Sequence, residues 1–312
     1  MSEAPIEHIR VNANGLSFHV ASCGAGERLA LCLHGFPESS LAYEHQLPMF
    51  ARLGYRAWAP DLRGYGASSR PRGIYNYRLA ALLDDVAGLI DASGAKHVVL
   101  VGHDWGGGIA WAFAQRRVRP IDGLIVMNSA HPLGLLRGMT RPNQLLKLWY
   151  MFFFQLPWLP EFLLGRDGAA PIGASFQSAS PSRPLSPDAI RTYRENATQP
   201  GALTAMINYY RAMMLSLFER DALRTTLIEC PTLQVWGQAD SVLLPAIAED
   251  ARGRAKDITI EYLPGVAHFV QQEAPEQVNA AIERWLGSRQ MLGGSVGSKD
   301  NGSQCGAHHD FE

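Results

Sequence analysis

The residues 98–108 read VVLVGHDWGGG, a four-residue apolar run followed by Gly102-His103-Asp104-Trp105-Gly106. Small residues two places either side of a nucleophile mark a strained turn from a strand into a helix, the nucleophile elbow. Such a turn pushes its central side chain out at a helix start, where amide dipoles favour an anion. An aspartate that merely caps a helix would account for Asp104 but not for the flanking glycines. A carboxylate needs no base to attack a saturated carbon bearing a leaving group, and the product is an alkyl ester. Cutting that ester with water then requires a general base and an oxyanion hole.

The base candidate is His268, in LPGVAHFVQQEAPEQV, between a strand-like run and an amphipathic C-terminal stretch. It comes after the nucleophile and after an acid, the chain order of this kind of site. The acid is Asp240, in WGQADSV at the end of the preceding strand-like run. A buried aspartate bonded to an imidazole fixes its tautomer and favours the cation that forms. Asn128 stands after an earlier run, where an acid can also be placed, but an amide cannot serve as the anion. The oxyanion donors expected are the backbone N–H groups of Trp105 and of Phe36, in HGFP; Pro37 has none to give.

These residues need a scaffold that gathers them. Apolar runs at residues 29–33, 56–59, 98–101, 124–127, 232–236 and 258–263 are each followed by turn chemistry, with helical patterns such as Tyr77–Ser93 and Gly106–Gln115 between them. Buried strands alternating with helices predict an α/β fold with a mostly parallel sheet covered on both faces. Such sheets carry function in loops at the strands' carboxyl ends, where all the polar motifs fall. Between about Leu133 and Leu223 the rhythm gives way to an aromatic-rich helical pattern with a polar loop at Ala174–Pro184. The expected organisation is therefore a core of 1–132 and 224–286, a helical cap of 133–223 that keeps water from a pocket beneath it, and a tail of 287–312 too poor in apolar residues to order itself.

The motifs LCLHGFPESS, PDLRGYGAS, GHDWGG, the aspartate of GQADSV and AHFVQQEAPEQV together resemble the epoxide hydrolase branch of the α/β-hydrolase family, over roughly Val11 to Leu286. The resemblance implies an enzyme that turns an epoxide into a vicinal diol with Asp104, His268 and Asp240, with two cap tyrosines holding the epoxide oxygen. Tyr150, in WYMFFFQ, and Tyr210, in NYYR, fall at those positions; the adjacent Tyr209 fits one residue out of register. The departing oxygen is strongly basic, and a phenol O–H suits it. His268 is expected to stay neutral as the base, which leaves the tyrosines as the acids. The pocket is expected to be apolar, with His34, Pro37, Phe154 and Phe269 on its wall; Phe269 stands where many relatives carry Trp.

Bulk properties narrow the alternatives. With a net charge of −1, no basic excess points to a nucleic-acid partner and no Lys/Arg cluster in the sequence points to an anionic membrane,. The 4 cysteines fall in no zinc spacing, so no metal or cofactor is implied, and their usage fits a reducing cytoplasm. No signal peptide or membrane anchor is expected; residues 145–164 are too interrupted by Lys147, two prolines and Glu161 to span a bilayer, although they suit a partner-facing or monotopic role. A homodimer is compatible with the sequence. The competing functions are a haloalkane dehalogenase, which would want an amide donor where Phe36 stands, and a non-catalytic ligand receptor on the same fold. A fluoroacetate dehalogenase would carry arginine where Trp105 stands.

Overall fold

Asn14 and Gly15, at φ 48° and 70°, close a two-residue turn between strands β1 (Glu7–Ala13) and β2 (Leu16–Cys23) in the computed structural model, which describes residues 4–216 and 226–291. Asn-Gly favours this turn because both central residues need positive φ. Six further strands follow: β3 (Arg28–Leu33), β4 (Arg56–Pro60), β5 (His97–His103), β6 (Gly123–Met127), β7 (Thr232–Gly237) and β8 (Ile258–Leu263). They form one sheet in the order β1-β2-β4-β3-β5-β6-β7-β8. The β1–β2 and β2–β4 pairs are antiparallel and the rest are parallel. The antiparallel hairpin is absent from the sequence reading, because β1 is largely exposed and lacks a continuous apolar run.

The inner strands are apolar on both sides because helices cover both faces. Leu29, Leu31 and Leu33 of β3 join one core cluster, with side chains from helices Leu79–Ser93 and Asp104–Arg116. Ala30 and Cys32, pointing the other way, join a second cluster with helices Gln46–Arg52 and Pro275–Ser288,.

Between β6 and β7 the chain leaves the sheet for a run of helices from Pro132–Gly138 to Ala202–Ser216. β6 and β7 are still direct neighbours, so the insertion leaves the sheet intact. It is tied down from several directions. Phe176 stacks on Tyr193 at 4.8 Å and lies 4.7 Å from Phe269, and the Tyr209 hydroxyl donates to the Arg63 carbonyl at 2.8 Å.

Two boundaries differ from expectation. Much of the polar stretch read as a loop is helical, because Arg166–Ala179 buries Ile172, Phe176 and Ala179 along one face. The C-terminal helix runs to Ser288, and Met291 packs on the second core cluster, so order extends past residue 286. The rest of the expected tail, and the expected cap boundary at 223, lie outside the described residues. Cys32 is buried and Cys230 half-buried.

Candidate active site

The elbow is built by sterics. β5 ends at His103, and Asp104 opens the helix Asp104–Arg116 at φ 47°, a conformation costly for a residue with a side chain,. A Cβ on Gly102 would meet the Gly106 carbonyl at 2.4 Å, and one on Gly106 would meet the Leu33 carbonyl at 2.0 Å. Only glycine lets the turn close this tightly against β3. Hydrogen bonds then hold the strained residue: Ser129 Oγ donates to the Asp104 carbonyl at 2.7 Å, and the Phe36 N–H donates to Asp104 Oδ1 at 2.8 Å.

His268 follows β8 and is buried with its Nε2 3.8 Å from Asp104 Oδ2. Its Nδ1 lies 2.9 Å from Asp240 Oδ2. Asp240 also accepts from the N–H groups of Val242 and Leu243 and, at 2.6 Å, from the Asn128 amide. Asn128 accepts in turn from the Gly237 N–H at 2.8 Å, which ties the end of β7 to β6. Burial alone would raise the Asp240 carboxyl, but His268 and these donors hold it below its usual range,. Burial likewise works against charge on His268, yet Asp240 first and Asp104 next outweigh it and raise His268 to about 9. The imidazole sits between two carboxylates, which favour its cationic form,.

A second buried network lies behind His268. Glu38 is fully buried and accepts from the Gly35 N–H and from the side chains of Gln271 and Gln272. His103 Nδ1 is 2.7 Å from Glu38 Oε2, and its Nε2 is 2.9 Å from the His268 carbonyl. Burial opposes charge on Glu38, but His103 more than offsets this and lowers the carboxyl. Glu273 completes the clamp by accepting from the N–H groups of Ala267 and Phe269, on either side of His268. The sequence reading missed Glu38, His103 and Asn128 as contributors. The one signal was their position inside the very motifs that carry Phe36, Asp104 and the end of β6.

A cavity of about 200 Å³ opens over Asp104 and Trp105. Apart from Asp104 and Ser129 its wall is apolar or aromatic, with Leu79, Leu82 and Ile109 on the sheet side and Leu148, Met151 and Met213 from the inserted helices. Tyr150 and Tyr210 both line it, their rings 5.8 Å apart, and the Tyr210 ring stands 5.0 Å from Trp105. Burial first, and then neighbouring groups that include Asp104, push both phenols well above their usual range. No group of three or more His, Cys, Asp or Glu among the described residues is arranged to hold a metal.

Residues 31–275 match the α/β hydrolase fold family. The chain is 36% identical over 287 residues to epoxide hydrolase 3 of Xenopus tropicalis, covering 89% of this chain and 77% of that one. It is equally identical to human epoxide hydrolase 4, over 89% of this chain and 78% of the relative. A crystal structure of Bacillus megaterium epoxide hydrolase in complex with an inhibitor superposes with a TM-score of 0.81 at 30% identity, covering 89% of this chain and all of that one. The chain belongs to the epoxide hydrolase branch of the α/β-hydrolase family.

Within this epoxide hydrolase scaffold the expected site residues fall into two groups. Asp104, His268, Asp240, Phe36 and Trp105 converge at the carboxyl ends of the strands, with Tyr150 and Tyr210 across the cavity. The four expected wall residues depart from expectation, since none lines the cavity. His34 is fully buried with its Nε2 accepting from the Leu62 N–H, so it braces the loop after β3. Pro37 is buried in the same loop. Phe154 packs behind Tyr210 at 4.9 Å, and Phe269 lies between His268 and Phe176. Of the four, Phe154 backs the lining residues Tyr150 and Tyr210, and Phe269 packs on His268. The register left open between the adjacent tyrosines is distinguished by their hydroxyls, for Tyr209 spends its donor on Arg63.

Proposed function

We propose that this epoxide hydrolase opens its substrate by attack of Asp104 on an epoxide carbon and frees the diol by hydrolysis of the resulting ester. The observation that carries this reading is a carboxylate with one oxygen held by the Phe36 N–H and the other facing both His268 and an apolar cavity bearing two phenols. Oδ2 is the oxygen free to attack. As its bond to carbon forms, the carbon–oxygen bond of the ring breaks, and the ring oxygen takes a proton from Tyr150 or Tyr210. Their raised pKa keeps both phenols protonated in the resting site. Esterification removes the Asp104 charge, one of the causes of that rise, so the phenols become stronger acids as the alkoxide develops.

The same loss of charge brings His268 down from about 9 towards neutrality. The base is thus released only once there is an ester to hydrolyse. His268 takes a proton from water, and the hydroxide adds to the Asp104 carboxyl carbon. Oδ1, now the ester carbonyl oxygen, carries the developing charge in the hole formed by the Phe36 and Trp105 N–H groups. The proton that His268 gives up on esterification restores the phenol. Collapse then breaks the carbon–Oδ2 bond, and the departing alkoxide takes the proton of the re-formed carboxyl, which leaves Asp104 a carboxylate and His268 a cation. Asp240 orients the imidazole, and Asn128 orients Asp240. The helices between β6 and β7 act as the cap, which excludes water from alkylation. The substrate is a small apolar epoxide, and thiols kept at Cys32 and Cys230 fit a cytoplasmic setting,.

A single turnover in heavy-oxygen water tests the reading. The diol should carry the unlabelled Oδ2, and the label should appear in the Asp104 peptide. Solvent oxygen in the first-turnover diol would mean direct attack by water. A dehalogenase is disfavoured because the Trp105 ring is packed edge-on against Tyr210 at 5.0 Å and Phe36 has no side-chain donor.

A further inference from the structure

The inserted helices leave an unusual amount of apolar surface in water. Leu146 and Trp158 are 75% and 70% exposed, and Leu136, Trp149, Phe152 and Phe162 are also exposed. Most of the large exposed apolar side chains among the described residues fall in the single stretch 136–162. Trp158 shares a groove with Ile74 and Leu215, and Tyr75 beside Ile74 is exposed as well. So much exposed apolar surface on one short stretch of chain is the kind that marks an interaction surface.

Its charges indicate the partner. The stretch 136–162 holds three cations, Arg137, Arg141 and Lys147, and one acid, Glu161. Glu161 is turned inward, paired with Arg211 at 2.6 Å. Arg137 and Arg141 keep much of their side chains in water and reach only a shared Asp250, at 3.8 and 3.7 Å. The face is thus apolar and aromatic with a cationic rim, on a chain whose net charge is −1. Exposed tryptophans beside arginine and lysine suit the boundary between lipid tails and anionic headgroups. A symmetric pair of copies fits less well, because an isologous contact brings cationic rims together.

We propose that this face docks reversibly on an anionic lipid surface. Leu136 and Met139 line the substrate cavity, and Leu136 belongs to the exposed patch, so docking places the cavity mouth against the lipid. Apolar epoxides concentrate there, and the mouth receives them without passage through water. This consequence rests on the epoxide hydrolase reading, whereas docking itself does not.

The test reads binding rather than turnover. The full chain is floated with phosphatidylcholine vesicles, with and without phosphatidylglycerol, and tryptophan quenching by brominated lipid is recorded. Binding should require phosphatidylglycerol, weaken with salt and quench tryptophan. A Trp149→Ser, Trp158→Ser variant should partition at least about tenfold less, a loss of about 1.4 kcal/mol, while turning over a water-soluble epoxide at the wild-type rate without vesicles. An Arg137→Glu, Arg141→Glu variant should lose the same binding with its apolar face intact. Failure of the full chain to bind, or undiminished binding by both variants, overturns the proposal. So does a dimer by light scattering that dissociates in the tryptophan variant without any vesicle binding, which would give the face to a second copy.

Discussion

Neutralising Asp104 should release a proton from His268. The two side chains approach to 3.8 Å, where opposite unit charges at an effective dielectric constant of about 20 attract by about 4 kcal/mol. That is a ceiling of about three pKa units. The Asp104 side chain is 19% exposed, and solvent there screens part of the field, while Asp240 continues to hold the cation from the other side. Asp104→Asn should therefore bring His268 from about 9 to between about 7 and 8. At pH 7 the neutral fraction would rise from about one in a hundred to between about one in ten and one in two. Ring-labelled histidine followed by NMR across pH reads the change directly, with His268→Gln identifying the resonance. Asp104→Ala, which removes the charge without leaving an amide, should give the same direction. If His268 titrates near 9 in both variants, the carboxylate does not hold the proton and alkylation cannot be what frees the base. If it titrates near 6.5 in the wild type, the resting cation is wrong.

His268→Gln should still alkylate and then stall, accumulating an adduct of the epoxide's mass in intact-protein spectra, and Asp240→Asn should slow the same hydrolysis by about 10²-fold or more; a folded, inactive His268→Gln chain with no adduct would contradict the assignment. Tyr150→Phe and Tyr210→Phe should each slow alkylation by about 10²-fold in pre-steady-state fluorescence, and the double variant should nearly abolish it. Wild-type alkylation in the folded double variant would remove the phenols from the mechanism. Glu38→Gln disrupts the buried acceptor shared by Gly35, His103, Gln271 and Gln272 and should lower unfolding free energy by about 1–3 kcal/mol in denaturant titrations. An unchanged midpoint would show that the network does not hold the fold together.

The sequence by itself determined the pieces encoded over short stretches. Glycines at 102 and 106 mark the elbow because a Cβ at either place collides with backbone. The six strands β3 to β8 are legible because each is an apolar-rich run bounded by turns, although the edge strand β8 is only half-buried. Chain order set Asp104, Asp240 and His268 in sequence, and the fold brings them together. The β1–β2 hairpin was equally local, signalled by Asn14-Gly15, but its exposed first strand gave no apolar run to draw attention. What only the tertiary structure decided involves partners far apart in the chain. Glu38 meets Gln271 across 233 positions and His103 across 65, and no local pattern distinguishes such a carboxylate from a loop residue. The cavity wall is of the same kind. Tyr209 and Tyr210 are adjacent, chemically identical and both stand against Trp105, yet the Tyr209 hydroxyl donates to Arg63. Neighbouring helical residues point in directions about 100° apart, and packing of the inserted helices on the sheet decides which hydroxyl is spent on backbone although both side chains line the cavity. The charge on His268 depends on the same assembly, because two carboxylates from different loops must meet one imidazole before its pKa can rise.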